Sequence, residues 1–342
     1  MLTCSSRISL YLYISTAHHT KMIKRPSPAI ETVLKEGVFV RPPTQFRSFI
    51  SVEPDAVFPA EPGRYHLYVS YACPWAHRTL IIRKLKGLEG IIGATAVHPH
   101  LDLDKGWHFP TADEKLEGEL CGPDPLHEDV QELRDLYLKA NPNYTGRYSV
   151  PVLWDTKTET IVNNESAEIV QMFNSAFDSL IDEEYRRVNL VLPQLKSSID
   201  ELIPWIYNDI NNGVYKAGVA RTQEAYESAV KTLFSALDRI EKRLSIGPYY
   251  FGDPISVVDI FLYVTLIRFD VVYVTLFKCN IRDIRNGYPA VHRWLRKLYW
   301  DVPAFKETTI FGQIKEHYFK SLTMINPSGI VPEGPQPHIL EK

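Results

Sequence analysis

The chain is poor in cysteine. Four occur in 342 residues, Cys4, Cys73, Cys121 and Cys279, all far apart. That spacing excludes a disulfide framework and the paired ligands of a zinc site, so no metal is expected. Sparse thiols fit a reducing compartment, and the expected location is the cytoplasm. No charge dominates either. The formal net charge is −3, which offers a polyanion little to bind, so nucleic acid is not an expected partner. A long hydrophobic run is missing as well. The most apolar stretch, Ile255 to Phe277, is broken by Asp259, Arg268 and Asp270, whereas a spanning helix wants about 20 mostly apolar residues. It reads as a helix buried inside a protein, with no membrane span. No acidic residue precedes Glu31, while Arg7, Lys21, Lys24 and Arg25 do. That composition suits a mitochondrial transit peptide, and it suits equally an unstructured or start-site extension with Met22 as a second start.

What is present is a chain long enough for two domains. Residues 1–60 are rich in proline and poor in periodicity, and extended chain is expected there. "RYHLYVS" (64–70) alternates as a strand does. A helix follows, with Pro74 suited to its first turn and Gly87 to its end. "GIIGATAV" (90–97) is a second strand. A long polar excursion, 98–147, comes next, and "LHEDVQELRDLYLKANP" (126–142) within it has helical spacing at Val130, Leu133, Leu136 and Tyr137. "SVPVLWD" (149–155) and "TETIVNN" (158–164) read as a hairpin, and a helix over 165–177 follows. From Glu183 the pattern is helical throughout. Thr222 caps a helix that keeps one apolar face over 222–244, and "SVVD" (256–259) is a capping box with Asp in place of Glu. Beyond Phe319 a proline- and glycine-rich tail is not expected to pack.

The chemistry concentrates in "YACPWAHR" (71–78). Cys73 stands where a strand gives way to a helix. Outward-pointing N–H groups and the positive dipole end there favour a thiolate, the form that attacks sulfur. Ala76 occupies the position where a dithiol redox protein carries its second cysteine. No disulfide can close across this turn, so the natural product is a mixed disulfide with an external thiol, of which glutathione is the abundant cellular example. Glu165-Ser166 open a helix, which can hold a carboxylate through backbone N–H groups or be a plain cap. Pro151 follows a strand-edge valine, and a cis bond there would turn the Val150 backbone toward a peptide ligand.

Together these stretches resemble the glutathionyl-hydroquinone reductases, the Xi class of glutathione transferases. The likeness rests on "YACPWAHRTLI" (71–81), "GWHF" (106–109), "RYSVPVLWD" (147–155) with "NNES" (163–166), "NNGVYKAGVA" (211–220), "RFDVVYVTLFKCN" (268–280) and "INPSGIVPEGP" (325–335). It covers roughly residue 35 to the end. It implies a thioredoxin-like domain over 61–178, an all-helical glutathione-transferase domain over 183–320, and an extended tail over 321–342. It implies Cys73 as nucleophile and Trp107, Arg147, Val150, Glu165 and Ser166 as holders of the co-substrate glutathione. Tyr215 or one of its neighbours would help protonate the leaving ring, and Tyr215, Tyr273 and Tyr318 would surround a glutathionylated aromatic quinol. A homodimer resting largely on the helical domain is also implied. An Omega-like thiol transferase reducing dehydroascorbate, and a non-catalytic transferase-like scaffold, are the alternatives.

Overall fold

The computed structural model of the chain describes residues 43–53 and 55–341, together with the backbone of two short antiparallel strands, β1 (Leu34–Lys35) and β2 (Val38–Phe39). The acid-free N-terminus, and with it most of the expected extended segment, lies outside the described residues.

The N-terminal half is built on a four-stranded sheet in the order β4-β3-β5-β6. β3 (Tyr65–Val69) and β4 (Ile92–Ala96) run parallel and are joined by helix α1 (Pro74–Leu85). β5 (Val152–Asp155) and β6 (Thr160–Asn163) form the predicted hairpin, with β5 antiparallel to β3. All five residues of β3 are buried, so both faces of the sheet are covered. On one side lie α1 and the helix after the hairpin. On the other, the alternating polar positions are answered in kind. The Tyr68 hydroxyl donates to Asp124 at 2.8 Å, and His66 meets Thr95 at 2.8 Å. Asp124 belongs to the long excursion, which therefore packs over the sheet rather than looping away from it.

Within that excursion only Leu133–Ala140 is helical, the helix α2. The helix expected over 126–142 is shorter because its first amides are committed elsewhere. Leu126 N donates to the Asp124 carboxylate at 3.0 Å, and Leu133 N donates to Trp107 O at 2.9 Å. Glu132 is extended and caps α2 in a reciprocal box with Asp135. The apolar spacing is real, but half of it belongs to a chain paired with "WHF". Helix α3 (Ser166–Ser175) then packs beside α1.

The C-terminal half is helical: α4 (Lys196–Ile206), α5 (Gly213–Gly218), α6 (Gln223–Leu244), α7 (Val257–Leu266), α8 (Pro289–Asp301) and α9 (Phe311–Glu316), with shorter helical turns between. The pattern is not unbroken from Glu183. Residues 188–192 are not helical, since Leu190 N donates to the Asn174 side chain and Leu190 O accepts from Val257 N. Thr222 caps α6 through a 3.2 Å bond from Ala225 N, as expected. The Ser256–Asp259 box opens α7, and every residue of α7 is buried. Asp259 also accepts from Tyr250 N and from the Trp294 indole, so its buried carboxylate ties three segments together. No described helix is long and apolar enough to cross a membrane.

The tail differs from expectation. It has no regular structure, yet it is pinned along its length. Lys315 Nζ donates to Glu333 O, Arg285 to Pro337 O and Trp300 Nε1 to Leu340 O, and Ile339 is buried. Carbonyls of an irregular, bending chain make these bonds without helix or sheet periodicity, so no sequence pattern announces them.

The two halves are joined through α1. His77 and Arg78 point away from the thiol into this junction. His77 Nε2 meets Thr308 Oγ1 at 2.9 Å. Arg78 donates to Asn211 at 2.6 Å and lies between the Trp75 and Phe261 rings. Arg268, at the end of α7, is fully buried and donates to Tyr71 O (2.8 Å), Ala72 O (3.0 Å) and Val264 O (2.7 Å), with His77 Nδ1 at 3.0 Å.

Candidate active site

Cys73 is the N-cap of α1, in an extended conformation, with Pro74 in the first turn and no cap bond from its side chain. The loop before it is held from both sides. Cys73 N donates to Ser70 O at 3.1 Å, and Arg268 takes the two preceding carbonyls. The thiol is half-buried, and its Sγ lies 3.7 Å from Val150 O. The Val150–Pro151 bond is cis.

The thiol opens onto a cavity of about 410 Å³ at the junction of the halves. From the sheet half, Cys73, Trp107, Arg147 and Val150 line it; from the helical half, Tyr215 and Tyr318 do. Six of the nine site residues read from the sequence therefore meet around one space. Trp107 is only 6% exposed, not the tip of an open loop. Its ring stacks on His317 at 5.0 Å. His317 Nδ1 lies 3.0 Å from Pro99 O, and burial pushes its pKa down to about 4, so the ring is neutral at neutral pH with Nδ1 as the donor. Arg147 stands exposed at the cavity mouth.

The tyrosines form a chain. The Tyr215 hydroxyl is 2.5 Å from that of Tyr318, which is 3.0 Å from that of Tyr273. Tyr273 and Tyr318 sit in π-helical turns, Phe269–Tyr273 and His317–Ser321, where one extra residue per turn re-aims the side chain inward. Burial raises the pKa of all three above the usual phenol value. Tyr273 does not reach the cavity wall. It is fully buried and stands behind the wall, stacked on Phe277, packed against Tyr215 and hydrogen-bonded to the Tyr318 hydroxyl. The structure places Tyr273 one hydrogen bond behind the wall rather than on it.

Glu165 and Ser166 also stand off this wall. Glu165 is the N-cap of α3, and its carboxylate accepts from Ala167 N at 3.3 Å and from the Thr44 hydroxyl at 3.2 Å. Ser166 is buried, with Arg78 Nη1 at 3.4 Å from its Oγ. Their neighbour Asn164 lines a second groove of about 490 Å³, which shares Leu101, Leu103, Arg147 and Ser149 with the first. The two spaces form one cleft running from the tyrosines past the thiol toward the start of α3.

Several wall residues were not among the expected site residues. His317, Arg221, Leu322 and Met324 stand outside the stretches that carry the likeness, while Lys278 and Ile325 stand within them without a role having been read; all line the cavity far along the chain from Cys73. Among the described residues no group of three or more His, Cys, Asp or Glu side chains is placed to hold a metal ion.

Two family models match the chain: glutathione S-transferase, N-terminal domain, over residues 72–176, and glutathione S-transferase, C-terminal domain, over residues 223–297. Glutathione S-transferase omega-like 2 of Schizosaccharomyces pombe is 53% identical over 308 residues, covering 89% of this chain and 96% of its own. The glutathionyl-hydroquinone reductase YqjG of Escherichia coli is 47% identical over 305 residues, covering 87% and 89%. The Xi glutathione transferase ECM4 of Saccharomyces cerevisiae, solved in complex with glutathione, superposes with a TM-score of 0.82 at 45% identity, covering 87% of this chain and 99% of that one. The chain belongs to the glutathione transferase family, in its Xi class. The sheet half of this transferase thus supplies the thiol and the cis-proline edge, and the helical half supplies the tyrosines.

Proposed function

We propose that this transferase reduces glutathionyl-hydroquinones to hydroquinones with glutathione as co-substrate. The observation that carries the proposal is a lone thiol facing a phenol chain across one cavity. Of the other described cysteines, Cys279 is sealed in the interior, and Cys121 lies beside Gln313 and away from this wall. Among the described residues, a dithiol cycle therefore has no partner for Cys73. The solved relative with bound glutathione and the reductase among the curated relatives agree with this reading.

The glutathione part of the substrate lies along the groove by Val150 and Arg147, and its aromatic ring faces Tyr215 and Tyr318. Protonation of the ring carbon bearing sulfur gives the keto tautomer. The Cys73 thiolate attacks the glutathione sulfur, the carbon–sulfur bond breaks, and its electrons leave into the ring as a hydroquinone phenolate, which takes a proton. Burial keeps the tyrosines protonated, so Tyr215 is the donor that faces the ring and Tyr318 supports it. A positioned acid contributes about 10²–10⁴-fold. A second glutathione thiolate attacks the Cys73 mixed disulfide and leaves as oxidised glutathione. One glutathione thiol and the substrate's thioether sulfur end as a disulfide, the carbon–sulfur bond becomes carbon–hydrogen, and Cys73 is returned as the thiolate.

Intact-protein mass spectrometry after mixing with a glutathionyl-hydroquinone tests this. One glutathionyl group should appear on Cys73, be discharged by added glutathione, and be absent from Cys73→Ser. Turnover by Cys73→Ser would sink the assignment. The Omega-like reading, favoured by the name of the fission-yeast relative, predicts instead that dehydroascorbate is the better substrate.

A further inference from the structure

The cavity wall holds cations but no carboxylate. Arg147 stands on the sheet half, while Arg221 and Lys278 come from the helical half, and no Asp or Glu lines the space. Arg147 lies beside the thiol and Val150, where the glutathione part would sit. The proposed reaction gives Arg221 and Lys278 no role. Both are exposed, and neither forms an ion pair with any described residue.

Their placement is built rather than incidental. Lys278 is held at φ +58, a left-handed conformation that side chains other than glycine rarely adopt and that persists only where the surroundings fix it. The Tyr226 hydroxyl donates to Lys278 O at 2.7 Å, and Cys279 N donates to Tyr273 O at 3.0 Å. The end of α5 is pressed against this same turn. A Cβ added at Gly218 would fall 2.2 Å from Phe277 Cγ, an approach only glycine permits. That contact sets the segment 218–221 against Phe277–Lys278 and brings both cations to one rim of the cavity.

We infer that Arg221 and Lys278 form an anion-selecting subsite of the ring pocket, so that the preferred aromatic substrates carry a carboxylate or sulfonate on the ring. This rests on the proposed quinol chemistry for the ring's identity, while the charge preference itself is a binding property. A cleft with apolar walls and cations of one sign concentrates anions. The apolar wall of Phe277, Leu322, Met324 and Ile325 takes the ring itself.

Two fluorescent probes that differ only in a sulfonate test it: 8-anilinonaphthalene-1-sulfonate and neutral N-phenyl-1-naphthylamine. Binding is counted where S-aryl glutathione displaces the probe. The sulfonate should bind about fivefold tighter than the neutral probe, the scale of two solvent-screened ion pairs, and added salt should weaken it alone. Lys278→Asn, which keeps the left-handed turn because asparagine enters it readily, and Arg221→Gln should each lose part of that preference. The double variant should lose all of it, while its affinity for the neutral probe stays within about twofold. Equal affinity for both probes in the natural protein, or full preference in the double variant, overturns the inference. Charge preference without a glutathionyl adduct on Cys73 would sink the reductase and leave the subsite. The adduct without charge preference would do the reverse.

Discussion

Replacing Arg268 by methionine should damage the junction and the active site at once. The guanidinium is fully buried and has no carboxylate partner within ion-pair distance among the described residues; its acceptors there are three carbonyls and one imidazole nitrogen. Two of the carbonyls, Tyr71 O and Ala72 O, belong to the loop that delivers Cys73. Methionine fills much of the volume and removes the cost of burying a cation, but it strands those acceptors. A buried acceptor left without a donor costs about 1–3 kcal/mol, and part is recovered with the lost desolvation penalty, so the net loss should be about 2–4 kcal/mol. Denaturant unfolding followed by tryptophan fluorescence measures it. Iodoacetamide labelling of Cys73 in the folded state reports whether the loop has moved. Arg268→Lys keeps the charge but cannot span all the acceptors, so it should fall between. A loss under about 1 kcal/mol in the methionine variant, with Cys73 labelling unchanged, would refute the claim that Arg268 holds the thiol loop.

Acid should loosen the cavity before the carboxylates titrate. Burial lowers the pKa of His66 and of His317 to about 4, below the unfolded value of about 6.5. The stability these rings contribute is complete above about pH 6.5 and is lost as pH falls through about 4, at up to about 1.4 kcal/mol per pH unit for each. Unfolding midpoints flat between pH 7 and 4.5 would contradict it. Gly218→Ala should cost about 1–3 kcal/mol through the clash with Phe277 and should lower kcat/KM by displacing the cavity wall; an unchanged midpoint and rate would show that the ring yields freely.

Local signals were legible in the sequence because a few adjacent residues decide them. The cap at Thr222, the Ser256–Asp259 box, the Pro74 start of α1 and the hairpin before α3 all follow from side chains within one turn of the backbone groups they serve. The helix over 126–142 was overread for the same reason: periodicity was visible, but not the pairing with Trp107 that withdraws its first amides. Within the site, Cys73, Val150 and Tyr215 stand in recognisable motifs. His317 behind Trp107 and Arg268 beneath Cys73 act across 210 and 195 residues of chain, and although Arg268 and Lys278 stand inside a stretch that carries the likeness, no local pattern tells either what it meets in space.

The pinned tail has a consequence for how this enzyme can change. Leu322, Met324 and Ile325 shape the mouth of the ring pocket, while the stretch beyond them is fastened outside the helical half by its own carbonyls. Selectivity can therefore drift by substitution at Leu322, Met324 and Ile325, because much of the chain beyond them is held through main-chain carbonyls that any residue supplies.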